Sequence, residues 1–459
     1  MRRLGYEVVD RIVERWETLP EARTARLATR REMETRLREP LPWDGEDIER
    51  LMERFWRDVE PFAGKIDHPR FFAFIPSSPT FASVLGDWLA SGCNFFQGTW
   101  IESAGPSEVE LVVLEWLKEG LRLDAETSGV LTSGGSAANL IGLAVARQQR
   151  VPGEMARGTA YTSDQTHTAV SRALRILGFP EANLRSLPSD VGWRLDMDAL
   201  EAAVRSDREA GFVPFCVIAS AGTTNTGAVD PMNELADFCQ REGMWLHVDG
   251  AYGAIARLSP TCEPLLAGLE RADSLVLDPH KWLYVGYEAG CLFVRDRSAL
   301  EAAFRVLPDY LQDTDVHEGE VNFADRGVQL SRAARGIKLW LSLKTHGFSA
   351  VVRAIERTIQ LAVYAEERIR AWPGLEVAAP ASLGIVCFRH RPPGEPDGEG
   401  LNAHNEAVVR TIQREGRFMI SSTQLDGSYV IRLCPLNYRT QPSDIEALLQ
   451  EVETVGGRE

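Results

Sequence analysis

Leu4, Val8, Ile12 and Trp16 recur four residues apart, with Val9 and Val13 beside them and charges on the remaining faces. That spacing predicts an amphipathic helix. Pro40 and Pro42 interrupt the segment, and Asp44-Gly-Glu-Asp-Ile-Glu is expected to open another helix capped by Asp44. Short helices through residues 1–60 cannot form a core by themselves, so they are expected to lie against the rest of the protein or a second copy of it. From residue 80 to 345 the pattern alternates. β-rich runs at 129–131, 160–162, 215–218, 245–248, 274–277 and 291–294 are separated in places by helical stretches such as 137–147 and 232–242. Strand–helix alternation predicts an α/β fold with a mainly parallel mixed sheet and helices on both faces. In such sheets ligands bind beyond the carboxyl ends of the strands, where Asp249 and Asp278 stand.

Residues 307–330 show neither period and are strongly acidic, as a loop or lid over a site would be. A long helix is predicted over 336–371, followed by a small C-terminal α+β unit with strands at 383–388 and 429–433 and a Pro/Gly-rich loop at 391–400.

Composition narrows the functional classes. The chain has 459 residues, enough for two or three subdomains, and its 44% hydrophobic and 25% charged content is ordinary for a globular protein. A formal charge of −16 argues against nucleic acid or an anionic membrane as partner. No apolar run approaches membrane-spanning length, and no apolar stretch after Arg2 and Arg3 suggests a signal peptide. The seven cysteines are scattered without CxxC spacing, which reads as reduced thiols in a cytoplasmic protein.

The chemistry lies at the strand ends. Thr132-Ser-Gly-Gly-Ser-Ala-Ala-Asn139 follows a strand and opens a helix; its free N–H groups and dipole suit a phosphate, with Ser136 adding a hydroxyl. His167 follows another strand, where a flat imidazole can stack on an aromatic ring and carry protons. Ala221-Gly-Thr-Thr-Asn-Thr-Gly227 offers hydroxyls after a third. Asp249 can hold a pyridinium nitrogen protonated, and Lys281 in Asp278-Pro-His-Lys-Trp282 can hold an aldehyde as a Schiff base. No metal site is expected: among His247, Asp249 and His280 there is no convincing third ligand, because His247 is expected to point away from Asp249 along its strand. The absence of a Gly-x-Ser-x-Gly elbow argues against a hydrolase.

Taken in order, these motifs resemble the group II pyridoxal phosphate (PLP)-dependent amino-acid decarboxylases, most closely the aromatic-L-amino-acid decarboxylase branch. The resemblance runs through His68-Pro-Arg-Phe-Phe-Ala-Phe-Ile-Pro76, Asp164-Gln-Thr-His167, Gly222-Thr-Thr224, His247-Val-Asp-Gly-Ala-Tyr252 and Pro279-His-Lys-Trp282. It implies the fold type I PLP-dependent transferase architecture, similar to aspartate aminotransferase. The implied organisation is an N-terminal helical segment (1–80) on a dimer partner, a PLP-binding domain (81–345) and a small domain (346–459). It also implies a homodimer with active sites at the interface.

Residue by residue, the resemblance implies that Lys281 carries the Schiff base, Asp249 pairs with the ring nitrogen and His167 stacks on the ring. Gly135, Ser136 and His280 hold the phosphate, Thr224 lies against the cofactor and Ala251 packs beneath its ring. Asp278 occupies a position where animal relatives carry asparagine at the phosphate. Phe72, Phe74, Pro76, Ser77 and Trp100 become the substrate pocket. Phe323 falls where the mobile loop of the decarboxylases carries a tyrosine, and relatives with phenylalanine there release aldehyde, ammonia and peroxide. Ser331 matches a position where plant relatives place serine for phenolic substrates and glycine for indolic ones. The implied activity is decarboxylation of a tyrosine- or dopa-like acid, with Tyr310, His167 or water supplying the proton. Alternatives are an aromatic aldehyde synthase, or another fold type I enzyme such as an aminotransferase or lyase.

Overall fold

The computed structural model describes residues 1–306, 317, 319–394 and 398–458. Tyr310 and most of the acidic segment's first half therefore lie outside the described residues. The chain divides into two compact units, one made of Ser77–Arg357 and the other of Met1–Pro76 together with Thr358–Glu459.

Ser77–Arg357 is built on seven strands: β1 (Ser128–Thr132), β2 (Gly158–Ser163), β3 (Leu184–Leu187), β4 (Val213–Ser220), β5 (Trp245–Asp249), β6 (Ser274–Leu277) and β7 (Gly290–Val294). They form one sheet in the order β1-β7-β6-β5-β4-β2-β3. β3, β2, β4, β5 and β6 run parallel, while β7 is antiparallel to both β6 and β1. The mainly parallel mixed sheet read from the sequence is present. Strands β1, β2, β5, β6 and β7 are buried along their whole length, which is why each reads as a continuous run rather than an alternation. β3 escapes that reading: it is a short edge strand whose Arg185 and Ser186 break any apolar run, and only Leu187 is buried.

Two helix expectations are corrected. The continuous helix over 336–371 is two helices, Gly336–His346 and Phe348–Ala371. Gly347 separates them at φ 73°, a conformation that costs other residues more than glycine. The cap after Pro42 is Asp47, not Asp44: its Oδ1 accepts from the N–H groups of Glu49 (2.8 Å) and Arg50 (3.3 Å) at the start of Ile48–Asp58.

The other unit carries an antiparallel sheet in the order β10-β11-β9-β8, from β8 (Leu375–Ser382), β9 (Ile385–His390), β10 (Ser421–Leu425) and β11 (Ser428–Leu433). Phe72, Phe388, Phe418, Ile431 and Leu448 belong to its core. The N-terminal helices Arg2–Glu17 and Arg30–Leu37 bury no residue of their own, and Leu41, Trp43 and Ile48 are exposed.

Candidate active site

The site residues of Ser77–Arg357 gather at the rim where the parallel strands end. Asp249 closes β5, opposite Val276 of β6 and Ser220 of β4. Its Oδ1 accepts the N–H of Ala251 at 3.1 Å, and its Oδ2 accepts Nδ2 of Asn139 at 3.1 Å. Asn139 belongs to helix Gly135–Arg150, which starts directly after the Gly134 turn. One buried amide thus ties the glycine turn after β1 to the carboxylate at the end of β5.

The segment after β6 supplies the amine. Lys281 Nζ lies 3.0 Å from Asp278 Oδ2. Burial alone would lower the ammonium's pKa, but the carboxylates of Asp278 and Asp249 outweigh it and the net displacement is upward. His280 Nε2 is 3.8 Å from the same Asp278 oxygen. Its Nδ1 donates to the Ala289 carbonyl at 2.6 Å, and burial lowers its pKa. Asp278 Oδ1 is buried with no hydrogen-bond partner among the described residues. A Cβ on Gly135 would come within 2.8 Å of Asp278 Oδ2 and 3.3 Å of the Ala251 methyl, so the glycine is needed for this close approach.

His167 sits exposed after β2, its Nδ1 accepting from Ala169 N–H at 3.2 Å. Thr224 lies half-buried in the turn after β4, and Asn225 beside it donates to Gln165 Oε1 at 3.1 Å. Gln165 links that turn to the one bearing His167. Ser136 is exposed in the first turn of its helix. Gly135, Asp249, Ala251, Asp278, His280 and Lys281 are therefore brought together, and the His167 and Thr224 turns are joined to each other.

The substrate-pocket residues fare unevenly. Ser77 is buried, its hydroxyl donating to Val285 O at 3.3 Å, and Trp100 N–H donates to Asn322 Oδ1 at 2.8 Å. Ser331 is exposed. In the other unit Pro76 is buried and Phe74 is exposed at φ 56°. Phe72 is corrected: it is wholly buried in that unit's core and stacks on Phe418 at 6.5 Å, so it has no face left for a ligand. Phe323 is corrected for the same reason. It is 1% exposed, with the guanidinium carbons of Arg332 and Arg326 at 4.8 and 5.6 Å from its ring.

A third correction concerns His247. Residues two apart on a strand share a face, and His247 lies on the Asp249 side, its Nε2 2.8 Å from Asn139 Oδ1. Asn139 and His247 were both missed as site residues. The signal available was their spacing: one lies a helical turn inside the glycine turn, the other two residues before the aspartate.

The pyridoxal-dependent decarboxylase conserved domain matches residues 31–391. The chain belongs to the pyridoxal-dependent decarboxylase family. An aromatic-L-amino-acid decarboxylase from Bacillus atrophaeus is 40% identical over 99% of this chain and 95% of its own length. The structure of Oryza sativa TDC with PLP and tryptamine superposes with a TM-score of 0.94 at 28% identity, covering 100% of this chain and 97% of that one. That of Rhodiola rosea 4-hydroxyphenylacetaldehyde synthase gives 0.92 at 27% identity, covering 100% and 98%.

The decarboxylase's own donor set fits its family's cofactor. A half-buried primary amine suits an aldehyde, a carboxylate that only accepts suits a ring N–H, and a glycine turn opening a sixteen-residue helix suits a phosphate. The partnerless Asp278 Oδ1 shows that this rim still has an acceptor to satisfy.

Proposed function

We propose that this decarboxylase converts an aromatic L-amino acid of the tyrosine or dopa type to its amine and CO₂. The observation that carries the reading is the pairing of Lys281 with Asp278 beside a fixed Asp249 carboxylate, all at one sheet rim. The aromatic class is supported by the likeness to the Bacillus atrophaeus enzyme over nearly the full length of both chains.

When bound, PLP supplies an electron sink for the pair left behind as CO₂ departs. Lys281 would hold its aldehyde, and Asp249 would accept the ring N–H and keep that nitrogen positive. Gly135, Ser136 and His280 would hold the phosphate, with Thr224 and Ala251 lining the cofactor. His167, open at the end of β2, would cover the ring and stand ready to hold or pass a proton at Nε2. Loss of CO₂ leaves a carbon that needs one proton, and amine forms where a protein group supplies it before oxygen reacts.

The aldehyde-synthase alternative rested on the missing hydroxyl at Phe323. Its burial between two arginines supports the amine reading, since the enclosed ring takes the place of no exposed proton donor. The likeness to the Rhodiola rosea enzyme keeps aldehyde formation as the second reading. Incubation with L-tyrosine or L-dopa decides between them: equal amounts of amine and CO₂ without peroxide are expected, and one peroxide per CO₂ overturns the amine assignment. Keto-acid formation would instead indicate an aminotransferase. The Ser331 reading adds a higher kcat/KM for tyrosine than for tryptophan, and the reverse order refutes it.

We further infer a homodimer with sites at the interface, the N-terminal residues 1–80 packing on the partner. The exposed Leu41, Trp43, Ile48 and Phe55 support it, since such side chains favour burial against another surface. Light scattering tests it, and a monomer at micromolar concentration would exclude it. The seven unpaired cysteines, six of them buried, support a cytoplasmic setting.

A further inference from the structure

Behind Asp249 runs a chain of buried polar side chains that no step above uses. Asn139 Nδ2 lies 3.1 Å from Asp249 Oδ2 and 2.8 Å from the Gly135 carbonyl oxygen. Asn139 Oδ1 is 2.8 Å from His247 Nε2. His247 Nδ1 is 2.7 Å from Ser274 Oγ, and Trp245 Nε1 is 2.8 Å from that same oxygen. Asn139, His247 and Ser274 are each no more than 1% exposed.

The donors follow from both ends. The Asn139 atom facing Asp249 meets two oxygens that can only accept, so it is the NH₂ group. Asn139 Oδ1 therefore faces His247, whose Nε2 must carry a proton. An uncharged imidazole then has a bare Nδ1, which accepts the Ser274 hydroxyl proton. The indole N–H of Trp245, a donor only, closes the far end. Burial depresses His247 to a pKa of about 4, consistent with a neutral ring. Gly142, in the middle of a helix where glycine costs about 1 kcal/mol against alanine, leaves the space: a Cβ there would fall 2.8 Å from His247 Cε1.

The geometry points to Asn139, His247 and Ser274 as a one-way positioning chain that holds the Asp249 carboxylate in place and aimed at the cofactor's ring nitrogen. This rests on the reading of Asp249 given above. A carboxylate that accepts an N–H from a locked amide cannot turn away from the ring nitrogen, and the lock extends three side chains away from the site.

The test uses the PLP-loaded enzyme and reads cofactor retention and the visible absorbance of the bound cofactor against pH, together with kcat and KM. Asn139→Leu removes the donor to Asp249. The acid midpoint of cofactor retention is expected to rise by about one pH unit, with kcat at least tenfold lower and KM little changed. Ser274→Ala, which touches neither Asp249 nor cofactor, is expected to move the midpoint the same way by a smaller amount. His247→Gln, able to donate to Asn139 and accept from Ser274, is expected to retain the wild-type midpoint. Asp249→Asn is the control: if it leaves retention and absorbance unchanged, the reading of Asp249 itself fails. If Asp249→Asn disrupts both while Ser274→Ala and Asn139→Leu only lower thermal stability, the positioning chain is refuted and Asp249 keeps its role.

Discussion

Lys281 Nζ, half-buried, and Asp278 Oδ2, buried, stand 3.0 Å apart, and the second Asp278 oxygen has no partner among the described residues. The pair favours the charged amine, whereas capture of an aldehyde needs the neutral one. Neutralising Asp278 leaves burial as the dominant influence on Lys281, and burial lowers its pKa. Asp278→Asn is therefore expected to shift the pH profile of PLP capture by the apoenzyme toward lower pH by one unit or more, roughly tenfold in rate at neutral pH. Stopped-flow absorbance of cofactor binding checks it, and coincident profiles would show that Asp278 does not govern the amine.

Phe323 and its two arginines make a second expectation. A tyrosine there would bring a hydroxyl into a fully enclosed place, at a cost of about 1–3 kcal/mol unless it finds a partner. Phe323→Tyr is expected to lower the urea midpoint while leaving the ratio of amine to peroxide as in the wild type. A changed product ratio would return this position to the chemistry.

Glu110 and Arg332 form an ion pair in the interior, with side-chain exposures of 0% and 2% and a contact of 2.7 Å. Leu131 N–H also donates to Glu110, and Arg332 donates to the carbonyls of Gln97 and Leu131. Removing one charge strands the other, so Glu110→Gln is expected to destabilise by about 3 kcal/mol or more. Joint replacement by Glu110→Leu and Arg332→Met is expected to recover part of that loss in equilibrium unfolding. A double variant no better than the single would indicate that the backbone contacts, not the charge, dominate.

Acid stability follows from two histidines. Burial sets both His68 and His247 at about 4 in the folded protein, against 6.5 for a free imidazole. A depressed folded value means the neutral ring is favoured by folding. The stability tied to it is present above pH 6.5 and is lost as pH falls toward 4. For His247 the loss is on the order of 3 kcal/mol once pH is below 4. Thermal midpoints are expected to fall across that window, and His247→Gln to flatten the fall. A His247→Gln curve parallel to the wild type would assign the acid sensitivity elsewhere.

Legibility in the sequence followed burial. Strands enclosed on both faces, such as β5 and β6, announce themselves as apolar runs, and the residues just beyond them were readable as site residues. Edge strands β3 and β10 carry too many polar side chains for that signal. The family motif singles out Lys281, Asp249 and His167 as candidates, and it singles out Phe72 and Phe323 equally, which are buried at 0% and 1% exposure. An aromatic residue near a site in sequence reads alike whether it faces a ligand or fills a core, and only packing separates the two. Asn139 and His247 were hidden because their contact crosses 108 positions of sequence.

Among the described residues β1 pairs only with β7, register Thr132↔Gly290. During synthesis the glycine turn at the end of β1 leaves the ribosome far ahead of its sheet neighbour. At common elongation rates the interval is ~10–30 s. Until Gly290–Val294 emerges and slots between β1 and β6, β1 has no hydrogen-bonded strand beside it among the described residues. The edge on which the glycine turn stands is thus closed late, by a strand that follows Lys281 in the chain.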